Sequence, residues 1–414
     1  MATASPISDA APDTPAAAAV AAAPATLLVS LAPLGNDALE TMLHNLSTVF
    51  AGRPVLVVTP DGAPHGHSDN SSLQLISYTP TAPSPGTWVL TAADYVNTFK
   101  LMQENGAATC LLLGAEAQSL HPEAIRALAD SASTADLTTP RYEIGPRDGL
   151  VNSAILYPIT RALFGTRPRF PLAVDLALTR RMAERLAATS QKFTAANENA
   201  ALIWPVAEAA AAGYSIAEVP AGPRTLPPPD VADLNTLLAQ VAGSIFADVD
   251  AKAAFWQRSR LAYSAKSPAS PIDHQPSAAP GELPDVQPML DSFRLAFSNL
   301  QEIWSLVLPP NSLLGLKKLS LMPSTAFRMP DALWARIVYD FILAFRLRTI
   351  NRGHLMGALT PLYLAWVASH LLLAGGSNGP AIAPEKHIEA LAAAFEVDKP
   401  YLVSRWRWPD RFNP

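Results

Sequence analysis

The sequence predicts an α/β protein: a mainly parallel sheet covered by helices through its first half, followed by a helical C-terminal subdomain. Three observations lead there. Up to about residue 222, short apolar runs ended by turn residues alternate with stretches whose apolar residues recur at helical spacing. Beyond Pro220 that alternation gives way to long helical stripes. A 414-residue chain that is 49% hydrophobic and 16% charged has the material for about two packed domains.

Residues 1–24 are rich in Ala and Pro, carry Asp9 and Asp13 and lack Lys and Arg, so they read as a disordered tail rather than a secretory signal. Ala25–Leu31, Pro54–Thr59, Leu73–Tyr78 and Ala108–Leu113 are short apolar runs expected to be strands. Asp37–Phe50 and Ala92–Asn105 are the helices between them. Strand–helix repetition of this kind favours a sheet covered on both faces, whose ligands lie at the carboxyl ends of the strands. Asp148–Phe164 reads as loop then helix, and Asp175–Leu186 as another helix, because Leu178, Met182 and Leu186 recur every fourth residue. Ile203–Tyr214 continues the pattern, with Gly213 as its stop.

Pro223–Pro229 is a break that divides a domain over 25–222 from a subdomain over 223–414. Val231, Leu234, Leu238, Val241 and Ile245 then mark a helix, and 266–288 is a Ser/Pro-rich loop. Phe293, Phe297, Leu300 and Trp304 line one later helical face, and Leu333, Ile337, Phe341 and Phe345 another. Leu355–Leu373 approaches transmembrane length but contains Thr360, Pro361, Tyr363, Trp366, Ser369 and His370, so a buried helix is expected and no stable membrane span, with membrane-surface association a weaker idea.

Composition excludes several functions. A net charge of −5 leaves no footprint for nucleic acid. Cys110 is the one cysteine; it rules out a disulfide framework, reads as a small buried thiol in a strand, and fits a cytoplasmic location. No glycine-rich loop of the P-loop or dinucleotide type occurs. His65 and His67 share a loop, a pattern more often solvated than ligating when no third ligand is in view.

One stretch stands out: Pro140-Arg-Tyr, then Asp148-Gly-Leu-Val-Asn152, then Tyr157-Pro-Ile-Thr-Arg161-Ala-Leu-Phe-Gly165. With Arg169-Phe-Pro171-Leu-Ala-Val-Asp175, Leu333-Trp-Ala-Arg336-Ile-Val-Tyr339-Asp340-Phe, His354 to Tyr363 and Phe395 to Trp406, it resembles glycosyltransferases of the glucosyl-3-phosphoglycerate and mannosylglycerate synthase type, over about Ala25–Arg407. The resemblance implies a GT-A nucleotide-sugar-binding, Rossmann-like fold. It also implies transfer of a hexose from a nucleoside diphosphate sugar to a small glycerate-like hydroxy acid, with Mg or Mn held by carboxylates against the pyrophosphate.

By that resemblance Asp61 and Gly62 bind the donor, as does Glu116, which stands where the family has an Asp-x-Asp pair and is the remaining metal ligand. Asp175 lies near donor and acceptor as the catalytic candidate; Asp148, Gly149, Asn152 and Arg161 fall to the acceptor. The residues themselves allow other roles. Asp148 could cap the following helix, Arg161 could serve an ion pair, His354 starts a helix, and Arg336, Asp340 and Arg346 form the polar face of one. The family's metal-binding histidine is replaced within Val219–Pro227, where Arg224 stands, and a third carboxylate is replaced by Leu202. Two readings stay open. One is a transferase, in which Arg141, Arg147 or Arg224 stabilises the leaving phosphate if no metal is used. The other is a non-catalytic relative that binds a nucleotide sugar, pairs with an active paralogue or forms a homodimer.

Overall fold

The computed structural model describes residues 27–60, 73–82, 88–145, 147–229, 233–258, 285–376 and 382–409. The Ala/Pro tail over 1–24, Asp61, Gly62, His65, His67 and nearly all of the 266–288 loop lie outside the described residues. The chain runs β1 (Leu27–Leu31), α1 (Asn36–Val49), β2 (Val55–Pro60), β3 (Leu73–Tyr78), α2 (Ala92–Glu104), β4 (Thr109–Leu113), α3 (Pro122–Ser131), β5 (Leu137–Glu143), α4 (Tyr157–Phe164), β6 (Asp175–Thr179), α5 (Arg180–Thr194), α6 (Pro205–Ala212) and β7 (Ile216–Pro223). The described residues continue with the helices α7 (Leu234–Ala251), α8 (Ala253–Trp256), α9 (Gln287–Asn299), α10 (Gln301–Val307), α11 (Pro310–Ser320), α12 (Asp331–Leu347), α13 (Arg352–Ala374) and α14 (Pro384–Arg407). The expected fold class holds in its architecture: an α/β domain with a mainly parallel sheet, then helices.

The sheet order is β3-β2-β1-β4-β6-β5-β7. All pairings are parallel except those of β6, which runs antiparallel to both β4 and β5. The strands read as continuous apolar runs because helices cover both faces: β1 is buried at every residue, and Cys110, Leu111 and Leu113 of β4 are fully enclosed. The reversed strand places a carboxylate at the ligand-facing end of the sheet. Its first residue, Asp175, pairs with Leu113, the last residue of β4, so a carboxylate at a strand start reaches the carboxyl end of the parallel strands.

Two expectations need correction here. Asp175–Leu186 is not one helix: residues 175–179 form β6, and the helix starts at Arg180 with the Thr179 hydroxyl accepting the Met182 N–H. The spacing of Leu178, Met182 and Leu186 holds both patterns, because a strand residue followed by a helix also buries all three. Phe293 to Trp304 likewise spans two helices, α9 and α10, which meet at Leu300.

The helical part packs on the sheet domain through α4 and α14, and a continuous apolar core runs from Ile155, Ile159 and Trp204 to Trp334, Phe341 and Leu391. A π-helical turn over Asn152–Leu156 precedes α4, and the Trp334 indole donates to the Ala154 carbonyl at 2.8 Å. The 23-residue α13 is long and apolar enough to cross a membrane by composition, yet 89% of its most apolar window is buried inside the molecule. Asp340 is also buried, so the expected polar face of α12 is interrupted: Arg336 is exposed and Asp340 is 1% exposed.

Candidate functional site

Four elements converge at the carboxyl end of the sheet. The chain leaving β4 supplies Gly114, Ala115 and Glu116; β5 supplies Tyr142; β6 starts with Asp175; the residue after β7 is Arg224. Gly114 is required by close approach, because a Cβ there would sit 2.8 Å from the Val174 carbonyl oxygen. Glu116 takes a left-handed backbone with φ at 59°, which turns its carbonyl and that of Ala115 toward Arg224.

Arg224 occupies the middle of this group. Its Nε donates to Asp175 Oδ2 at 3.0 Å, and its Nη2 to Asp175 Oδ1 at 3.3 Å and to the Ala115 carbonyl at 2.6 Å. Its Nη1 donates to the carbonyls of Glu116 and Thr225 and to the Ser119 hydroxyl, at 2.6, 2.7 and 3.0 Å. A guanidinium has five N–H donors, and here every donor nitrogen has an acceptor. Asp175 is equally occupied: Oδ1 also accepts the Gly114 N–H at 3.1 Å, and Oδ2 the Tyr142 hydroxyl at 2.7 Å. Both side chains of the ion pair are fully buried. Loss of water around the Tyr142 phenol, with the Asp175 charge beside it, pushes its pKa well above the ordinary value, so it stays a donor to the carboxylate.

This arrangement does not fit a divalent cation. A cation is already present as the guanidinium, both Asp175 oxygens are spent on it and its neighbours, and a metal would be repelled by it. The Glu116 carboxylate accepts from the Gln118 amide at 2.8 Å. Among the described residues no group of three His, Cys, Asp or Glu side chains could hold a metal ion. Leu202, which the sequence resemblance set against a third carboxylate, is buried in the apolar core and forms a bridge with Thr91. Nor is Arg224 available to stabilise a leaving phosphate, since its side chain has no exposure.

The other residues singled out in the sequence do not join this group. Asp148 is exposed and accepts the Gly145 N–H at 3.1 Å, closing a turn; Gly149 has φ at 59° and a Cβ there would meet Ile144 at 2.9 Å, so its backbone accounts for the glycine. Asn152 donates to the Arg169 carbonyl at 2.9 Å. Arg161, 7% exposed, faces α14: it donates to Glu396 at 2.8 Å and pairs with Glu389, to which Tyr157 also donates at 2.6 Å. Those partners raise its pKa further above the ordinary arginine value. Arg169 repeats the device one step away, with Glu385 at 3.0 Å. Arg141 lies between Glu218 and Glu385 at 3.9 and 3.6 Å. Glu218 is pushed up to about 7 by burial, against the pull of the neighbouring Arg141 and Arg169.

Sequence reasoning missed Tyr142 and the three α14 glutamates. Tyr142 sits two residues after Pro140 inside the motif that stood out, a signal that was present; the glutamates lie on one helix at separations that only docking gives meaning.

No protein-family model and no curated protein matches the chain. Among solved structures, glucosyl-3-phosphoglycerate synthase from Mycobacterium tuberculosis in complex with Mn2+, UDP-glucose and phosphoglyceric acid is similar at TM-score 0.35 and 16% identity, over 55% of this chain and 79% of that one. The same enzyme with Mn2+, UDP-glucose and glycerol 3-phosphate gives 0.34 and 15%, over 55% and 80%. A mycobacterial protein gives 0.34 and 16%, over 55% and 74%. At such scores the likeness carries none of those proteins' residues or ligands over to this chain.

Proposed function

We propose that this chain is a GT-A-type protein without metal-dependent sugar transfer, serving as a partner or scaffold protein in which an internal ion pair has taken the place of the metal centre. The observation that supports this is the enclosed Arg224–Asp175 pair, with every guanidinium nitrogen and both carboxylate oxygens engaged by the protein. Metal-assisted transfer needs carboxylate oxygens free to hold the cation and a cation able to reach the pyrophosphate. The arginine meets neither need, and removing it from its carbonyl acceptors would leave several buried groups unpaired. The reading implied by the sequence resemblance, hexose transfer to a glycerate-like acceptor with Glu116 as metal ligand, is the one it competes with.

Calorimetric titration of the full chain with UDP-glucose and GDP-mannose, with and without Mn or Mg, tests it. The expected result is no metal-dependent binding and no transfer to glycerate or its phosphate. Metal-dependent binding near micromolar affinity, followed by transfer, would overturn the proposal and restore the transferase.

A further inference from the structure

Two of the stretches that carry the sequence resemblance, Leu333–Phe341 and Phe395–Trp406, take no part in the cluster at the sheet end. They meet in the helical part, where α12 and α14 come together beside the start of α11 and leave a cavity of about 290 Å³. Arg336, Tyr401, Arg405, Asn311 and Ser312 line it, with Pro309 and Pro310 at the helix entry.

We propose that this cavity is a binding site for the oxyanion of a small molecule, a phosphate monoester or a carboxylate, held by Arg336, Ser312 and the N-terminus of α11. Donors dominate its lining. Pro309 caps α11 without a side-chain hydrogen bond and Pro310 fills the first position, so the Asn311 N–H is the first amide of the helix and has no acceptor within it. The 11-residue helix directs its positive end to the same place. Ser312 is 3% exposed, lines the cavity, and its hydroxyl makes no hydrogen bond to another described residue. A hydroxyl placed this way on the cavity lining can donate to or accept from a molecule that enters.

The carboxylates nearby are each paired with an arginine of the lining. Arg336 binds Asp398 through Nε and Nη2, at 3.2 and 3.1 Å, which leaves Nη1 outside the pair. Asp340 is held by Arg405 and by the Tyr401 hydroxyl at 2.8 Å. Neither Asp340 nor Asp398 lines the cavity. The contrast with Arg224 is one of supply: there every donor nitrogen is met within the protein, whereas here an arginine with a nitrogen outside its ion pair, a serine and the first turn of a helix line one opening. The volume exceeds that of a bare ion and falls near the lower end for small-molecule pockets, so an organic body can accompany the charged group.

The full chain is titrated calorimetrically with inorganic phosphate and, separately, with acetate, at ionic strength held constant with chloride. Saturable binding of at least one, with Kd on the order of 1 mM, is expected; whichever binds identifies the class of charged group. Arg336→Gln should weaken it about tenfold and Ser312→Ala about threefold, matching loss of a charged and of a neutral hydrogen bond. The serine variant guards against a folding failure in the arginine one, and circular dichroism checks both. No binding of either anion above the chloride control, or binding unchanged in both variants, overturns the proposal. Neither probe is a sugar nucleotide and no metal is added, so the outcome is separate from that of the transfer test.

Discussion

Among the described residues, the Arg224–Asp175 pair enclosed at the carboxyl end of the sheet and the cluster in the helical part, buried Arg405–Asp340 with the more exposed Arg336–Asp398, differ in how their donors are spent. At the sheet end three carbonyls, two hydroxyls and a backbone amide close around the pair until no polar atom of it faces solvent. In the helical part the pairs line or back an opening that also receives a helix N-terminus. Residue type alone would rank the two alike. What separates a structural charge from a binding one is whether the fold leaves a donor unanswered.

The strongest way to break this contrast is to remove the cation from the closed cluster. Arg224→Met should destabilise the protein by about 3–5 kcal/mol in urea denaturation, because it leaves a fully buried carboxylate with only the Tyr142 hydroxyl and the Gly114 amide. Arg224→Met with Asp175→Leu should recover most of that loss, since replacing both charges removes the uncompensated one. A single variant that loses less than about 1 kcal/mol would show the cluster to be open after all.

Arg161→Met comes next, at about 2–4 kcal/mol, since it strips Glu396 and Glu389 of the cation that joins α4 to α14. Glu389 is half exposed and keeps its water, which is why the effect should fall below that of Arg224. Unchanged stability would mean that the apolar core alone joins the two parts.

The open cluster should betray itself by pH. Burial pushes Asp340 from 3.8 up to about 7 despite Arg405 and Tyr401. A carboxyl raised by folding holds its proton more tightly in the native state, so its contribution is fully present below about pH 4 and is lost as pH rises toward 7. Relative to the wild type, Asp340→Asn should remove on the order of 1–3 kcal/mol of decline between pH 4 and 7 in stability curves measured across that range. Identical slopes would show that Arg405 keeps Asp340 ionised throughout.

The smallest effect is expected outside both clusters. Asp148→Ala loses only the turn bond to Gly145 and should cost about 0.5–1 kcal/mol by the same assay. A much larger loss would assign the exposed aspartate a role in packing.

Much of the fold was legible in the sequence, and the reasons are local. Short apolar runs ended by turn residues marked the strands β1 to β4, and helical spacing the helices α1 and α2 and the buried stripe of α12, with Gly213 marking the stop of α6, because each pattern is set by neighbours within a few residues. It misplaced Asp175–Leu186, where a five-residue strand and the following helix bury the same spacing. At the site, sequence singled out Asp175 and Glu116 and noted that Arg224 stands in the run where a histidine was expected. It could not tell that all three touch.

By itself, then, the sequence determined the alternation of strands and helices, the helical C-terminal part and the residue types at each strand end, since those follow from propensity and pattern along the chain. Only the tertiary structure decided what the residues do. Antiparallel β6 brings Asp175 against the end of β4, and β7 delivers Arg224 to it from 49 residues further on. Likewise α11, α12 and α14 meet from separate parts of the chain to leave one set of donors open. Whether a charge is sealed or available depends on acceptors distant in sequence, and no local pattern encodes their arrival.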